Sequence, residues 1–162
     1  MLLQVRLLNE LIANKKRVLR SGHAPEGPLQ FETGTLSEDE IEAILNTLPI
    51  DITFVDKEDR VRYFNKLGGR IFARTKAVIG RKVQKCHPQK SVHVVNKILD
   101  SFKSGKEDAA EFWIQQGDRL VHIRYFAVRG KNAKYLGTME VTQDIADLKK
   151  IEGEKRLLDW ED

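Results

Sequence analysis

The chain is poor in cysteine, proline and aromatic residues: one Cys, four Pro, and 7% Phe, Trp and Tyr in 162 residues. A lone thiol, Cys86, cannot close an internal disulfide, so no disulfide framework is expected, and this usage fits a reducing, cytoplasmic setting. Long apolar runs are missing as well. No stretch approaches the ~20 residues a membrane span needs. Arg6 and Glu10 break the apolar start "MLLQVRLLNELIANKKR" before it forms a signal-peptide core. Neither export nor membrane insertion is expected. Nor is there a dominant charge: the formal net charge is +4, and Lys15, Lys16 and Arg17 alone do not make the concentrated basic face of a nucleic-acid binder.

What is present is 41% hydrophobic and 32% charged, a globular composition. Residues 2–20 read as an amphipathic helix, with Val5, Leu8, Ile12 and Leu19 at helical spacing. "SGHAPEGPLQFETG", with three Gly and two Pro in fourteen residues, reads as a linker or extended arm. In "LSEDEIEAILNTLP", Ser37 and Glu40 form a capping box, Leu36 and Ile41 a hydrophobic staple, and Pro49 a stop. Ile41, Ile44, Leu45 and Leu48 make one stripe.

The period then changes. Ile52–Val55 and Val61–Phe64 flank the charged turn "DKEDR" as a hairpin. "KLGGRIFARTKAVIGRKVQK" is irregular. "HPQKSVHVVNKILDSFKSG" is a helix, entered at Pro88 and left at Gly105. The strands "AEFWIQ", "RLVHIRYFAVR" and "KYLGTMEVTQ" follow, and "DIADLKKIEGEKRLLDW" reads as a charged amphipathic helix. The fold class expected is α+β: a five-stranded antiparallel sheet with helices on one face, plus N- and C-terminal helices.

These segments together resemble a PAS domain. "DITFVDKEDRVRYFN" looks like the opening PAS hairpin, ending at Asn65. "VIGRKVQKCHP" is similar to the segment before the long PAS helix, and "YLGTMEVTQDIADLKK" to the closing strand and its exit. A closer resemblance is to the C-terminal PAS domain of a bacterial and archaeal family in which it follows a hemerythrin-like helical domain. No hemerythrin His/Glu set is present, so no di-iron site carries over. The division expected is 1–35 helix and linker, 36–145 PAS domain, 146–162 C-terminal helix. The resemblance implies a sensory or regulatory module that encloses a small molecule, pairs as a homodimer, and signals through terminal helices. A helical hemerythrin-like or output domain is the other implied partner.

Cys86, His87 and His93 lie close in sequence but do not read as a metal site. Helix register turns His93 to solvent beside Asn96, Lys97 and Asp100, while Cys86 and His87 precede the helix. His87 is read as part of the helix entry, with the cavity mouth as its functional alternative. Flavin-binding light sensors carry a "GRNCRFLQ" pattern here. "GRKVQKCHPQ" puts Val83 at the aligned Cys and argues against flavin. The outward His93 argues against haem, leaving Cys86 or His87 as fallback ligands for a haem or redox-linked sensor.

The pocket candidates lie elsewhere. In "RLVHIRYFAVR", Val121, Ile123, Tyr125 and Ala127 share the inner face, and His122 and Arg124 the outer. For the last strand, simple patterning puts Met139 and Val141 inside. The PAS register, which we adopt, puts Thr138, Glu140 and Thr142 inside. Glu140 then needs a partner: a ligand donor, Tyr125, or an Arg from residues 70–81. The expected ligand-binding set is Tyr125, Glu140, Thr142, Ile123, Val95, Leu99, Arg74 and His87. Glu140 is read as the only inward charge, favouring a neutral or cationic ligand. Arg70, Arg74 and Arg81 are read as solvated loop cations, the alternative being an anion clamp at the mouth. No carboxylate pair, phosphate-cradling Gly loop or nucleophile–His–acid set comes together, so no catalysis is expected. Apolar outer-face residues Phe126 or Met139, with the Val5–Leu8–Ile12 stripe, point to a homodimer. A purely structural dimerisation module without ligand is the competing reading.

Overall fold

The computed structural model describes residues 27–66 and 68–157. The helix expected over residues 2–20 lies outside them. The chain forms two compact units, residues 1–43 and 44–162, with the boundary inside a helix.

In the first unit, part of the expected linker folds back on itself. Strands β1 (Leu29–Phe31) and β2 (Gly34–Leu36) pair antiparallel around Glu32-Thr33. Thr35 Oγ1 donates to Gln30 Oε1 across the pair at 3.0 Å. Helix α1 (Glu38–Thr47) follows. The capping box is made: the Ser37 N–H donates to Glu40 Oε2 at 2.7 Å, and the Glu40 N–H to Ser37 Oγ at 3.2 Å. The Ser37 N–H and the Ser37 hydroxyl, which donates to Glu40 Oε2 at 2.9 Å, hold the Glu40 carboxyl below the usual carboxylate range. The expected apolar stripe is only partly covered, and Ile44 is exposed.

The second unit is built on one five-stranded antiparallel sheet, order β4-β3-β7-β6-β5. The hairpin β3 (Asp51–Asp56) and β4 (Val61–Phe64) joins the meander β5 (Ala109–Gln116), β6 (Arg119–Arg129) and β7 (Tyr135–Asp144) through β3–β7 pairing. Asp56 makes the tight turn, its Oδ1 accepting from the Glu58 and Arg60 N–H groups at 3.0 and 2.9 Å. The register settles the last strand: Tyr125 faces Glu140, Ile123 faces Thr142, and Ala127 faces Thr138. Those pairs lie on the helix-covered face. Met139 and Val141 lie on the opposite face, beside Phe54 and Ile52.

Helix α2 (Val92–Ser104) packs on the inner face with Leu99 and Phe102 buried. It does not start at Pro88. A separate 3-10 turn, Gln89–Ser91, intervenes, because Pro88 is extended at φ −57, ψ 141. Gly105 ends α2 at φ 74, and Lys106 N–H reaches back to Ser101 O at 3.0 Å, a Schellman closure. Val55, Val61, Val83 and Leu99 form the core, with Val78, Cys86 and Val95 against it.

The C-terminal helix is a correction. Up to residue 157 there is one 3-10 turn, Leu148–Lys150, then extended backbone at Ile151 and a left-handed Gly153 at φ 65. Ile151 and Leu157 stay 69% and 83% exposed, so the apolar side of that segment gains no burial to offset helix nucleation.

Candidate functional site

The inner face is not uniformly apolar. Asp51, Thr53, Thr138, Glu140 and Thr142 are buried on it. Two arginines from the irregular segment answer the two carboxylates. Arg74 Nη2 donates to Glu140 Oε2 at 2.9 Å and Oε1 at 3.2 Å, and Thr142 Oγ1 donates to Oε1 at 3.4 Å. The Arg74 and Glu140 side chains are 11% and 10% exposed. Arg70 donates through Nη1 to Asn65 O and Oδ1, both 2.8 Å, lies 3.8 Å from Asp51 Oδ1, and covers the Phe64 ring at 5.5 Å. Burial pulls the Arg70 pKa down against the opposing attraction of Asp51. The solvated-cation reading of Arg70 and Arg74 is therefore overturned. Only Arg81 is exposed.

Asn65 is the joint of this region, fully buried. Its Nδ2 donates to Leu45 O and Ile50 O at 3.0 and 2.9 Å, and its Oδ1 accepts from Ile52 N–H at 2.8 Å. Sequence reading marked Asn65 only as a hairpin end and missed the Asp51–Arg70 pair. The available signal was Asp51 itself, a charge at the inward parity of a strand otherwise reading apolar.

Above this polar floor sits a cavity of about 30 Å³. Val55, Tyr125, Thr138 and Glu140 line it from the sheet, Val95, Ile98 and Leu99 from α2, and Val83 and His87 from the connecting segment. That is room for roughly one or two waters, far below the ~300 Å³ or more of ordinary ligand pockets. Burial raises the Tyr125 phenol pKa, the Glu140 carboxylate raises it further, and Arg74 partly offsets both.

Of the expected site residues, Tyr125, Glu140, Val95, Leu99 and His87 meet at this cavity. Thr142 reaches it only through Glu140, Arg74 stands behind Glu140, and Ile123 is not among the walls. Glu140 is not the only inward charge, because Arg74 already neutralises it. His87 Nδ1 lies 2.9 Å from Val83 O, and Cys86 Sγ 3.8 Å from Lys82 O, both local contacts of the 3-10 turn Val83–Cys86. His93 is exposed, and His122 pairs with Glu111 at 3.0 Å on the outer face. Among the described residues no three His, Cys, Asp or Glu side chains come together for a metal. Among them also no helix is long and apolar enough to cross a membrane.

A five-stranded antiparallel sheet curled over one helix, with a small walled cavity between them, defines a pocket-bearing α+β module. The chain belongs to the PAS domain family: the family profile matches residues 41–146. It is similar to the crystal structure of a C-terminal domain from Streptococcus mutans, at 32% identity and TM-score 0.74, covering 80% of this chain and all of that one. It is also similar to the PAS domain of a protein from Colwellia psychrerythraea, at 15% identity and TM-score 0.50, covering 67% of this chain and 97% of that one. A third similar structure is the histidine kinase ThkA in complex with the response regulator TrrA. There the identity is 25% and the TM-score 0.49, covering 67% of this chain and 32% of that one. Among curated proteins no match was found.

Proposed function

We propose that this chain is a sensory PAS module, without catalytic activity and cytoplasmic, that reads a very small molecule at the Tyr125–Glu140–Arg74 cluster. The observation that carries this is the buried Arg74–Glu140 pair behind an apolar cavity. A buried ion pair is seldom the most stable filling of such a site, since well-packed apolar residues often do as well or better. A cavity of about 30 Å³ accommodates only a few heavy atoms as it stands. A larger ligand enters when Arg74 leaves Glu140 and the irregular segment moves with it. The pair makes the site close to neutral, so a polar uncharged or zwitterionic molecule suits it better than a simple cation.

Native mass spectrometry of the purified chain, wild type against Arg74→Met/Glu140→Leu, tests the reading. The double variant is expected to fold with unchanged or higher stability and to lose a retained mass. Equal retention in both, or none in either under gentle desolvation, refutes it. In the second case the alternative stands: a structural dimerisation module with a filled core, which the small cavity volume favours. A haem or redox-linked sensor through Cys86 or His87 is tested by a visible spectrum of the same preparation. Placement after a hemerythrin-like domain is also part of the proposal. It rests on the sequence resemblance alone.

A further inference from the structure

A groove lies across the wall of the inner cavity, between α2 and β5. It is an open space of about 370 Å³, within the range of small-molecule sites. Its floor is apolar: Ile98 and Phe102 come from α2, Ala110 and Phe112 from β5. Phe112 pairs with Ile123 on the helix-covered face, yet it is 39% exposed, because α2 leaves the β5 end of that face open. The polar groups stand along the rim. His93 and Lys97, exposed and one helical turn apart on α2, share one end. Neither side chain has a hydrogen bond or ion pair with another described residue. Asp100, also on α2, is not among the walls, and Glu107 is the one acid that is. The Glu107 N–H donates to Ser101 O at 3.4 Å, which places it a further turn along, beyond Lys97. Two contacts join the groove to the inner cavity. Ile98 lines both. The Phe112 ring meets the Tyr125 ring edge-on, with centroids 6.1 Å apart at 74°, and Tyr125 is a wall of the cavity.

We propose that this groove binds a small amphipathic carboxylic acid, its carboxylate on Lys97 with His93 beside it and its hydrocarbon chain over Ile98, Ala110 and Phe112. A cation at one end of an apolar bed matches an acid that carries a chain. A bare anion leaves the bed empty, and an amine has to place its charge at Glu107 instead. The chain lies on Phe112 and Ile98, so its arrival presses on the wall shared with the inner cavity and on Tyr125 behind it. The groove is thus an input to the module through packed side chains. The binding site itself does not depend on the cavity taking a ligand of its own.

The test is an amide-resolved NMR titration of the full chain with octanoate below its micelle concentration, octylammonium and acetate. Octanoate is expected to shift the amides of 93–101 and 109–112 saturably. Octylammonium and acetate should each bind far more weakly, the first for its charge and the second for its missing chain. Lys97→Glu, an exposed change that leaves the fold intact, should weaken octanoate about tenfold by reversing the rim charge. Ala110→Leu should weaken it several-fold by filling the floor. No saturable shift, equal binding of octylammonium, or indifference to Lys97→Glu overturns the site. Equal binding of acetate, or unchanged affinity in a folded Ala110→Leu, overturns the chain contact. If Ala110→Leu does not fold, acetate alone decides that point. The coupling is read from the Tyr125 ring resonances of the wild type. Those must move with octanoate and not with acetate, and their silence while the groove amides shift overturns it.

Discussion

At the scale of single residues, the polar groups inside this domain carry its most exacting chemistry. Asn65 ties α1, the strand start and Arg70 together through one amide. Asn65→Leu keeps much of the volume but strands Leu45 O, Ile50 O and the Ile52 N–H. We expect a loss of roughly 3 kcal/mol or more, since each buried backbone group left unpaired costs ~1–3 kcal/mol. Urea unfolding measures it, and a loss below about 1 kcal/mol would show that water replaces the amide. Tyr125 makes a different prediction. Its phenol pKa is raised in the folded state above the ordinary value of 10.0, so the fold favours the protonated form. That stabilisation is fully present below pH 10 and is lost as pH rises from there through the higher folded-state value, because the unfolded chain releases the proton first. Wild type should therefore lose stability between pH 9 and 11 more steeply than Tyr125→Phe, a comparison that cancels the lysines. Parallel curves for the two proteins would rule out a buried, charge-opposed phenol.

At the scale of elements, close backbone approach sets what the sheet tolerates. A Cβ added at Gly137 would stand 2.1 Å from Val55 O and 2.8 Å from the Phe54 ring. Gly137→Ala must therefore push β7 from β3. We expect a cost of about 3 kcal/mol, the upper end for overpacking, against about 1 kcal/mol for Gly105→Ala, which only strains the left-handed helix exit. Thermal melts that rank the two variants the other way would place the Gly137 contact outside the folded core. The elements themselves were legible wherever a local rule governed them. The Ser37–Glu40 box, the turn at Asp56 and the α2 stripe are all present, because capping, turn chemistry and periodicity act over a few residues. Thr138, Glu140 and Thr142 were placed inward by family register against simple patterning, and β6–β7 pairing agrees. What failed was non-local. Nothing near Arg70 in sequence announces a carboxylate 19 positions away, whereas for Glu140 an Arg from residues 70–81 was one of three partners left open, and Arg74 takes that place. The β1–β2 hairpin was hidden by flanking Gly and Pro. A good amphipathic pattern after Asp144 gave no helix in the described residues, because it found no surface to pack on.

At the scale of the whole molecule, the open edge of the sheet bears on assembly. β5 ends the strand order, and its Phe112, Trp113 and Ile114 are 39%, 65% and 43% exposed, with no proline or lysine on the strand to discourage pairing. The Ala127 N–H donates to Asp108 O at 2.9 Å, so even-numbered β5 residues bond inward to β6. Odd-numbered ones, Ala109, Glu111, Trp113 and Gln115, therefore turn their N–H and C=O groups to the edge that no strand among the described residues pairs with. A second copy can pair there about a two-fold axis through Trp113. Glu111 then faces Gln115 and Phe112 faces Ile114, with no like charges opposed. This gives the expected homodimer a geometry different from outer-face contact through Phe126 or Met139. Light scattering at high micromolar concentration should give a dimer. Trp113→Glu, which sets two carboxylates against each other on the axis, should return a monomer with little change in melting temperature, because Trp113 is mostly exposed. A dimer that survives Trp113→Glu but is lost in Phe126→Glu would assign the interface to the outer face. A wild-type monomer at that concentration would refute the homodimer.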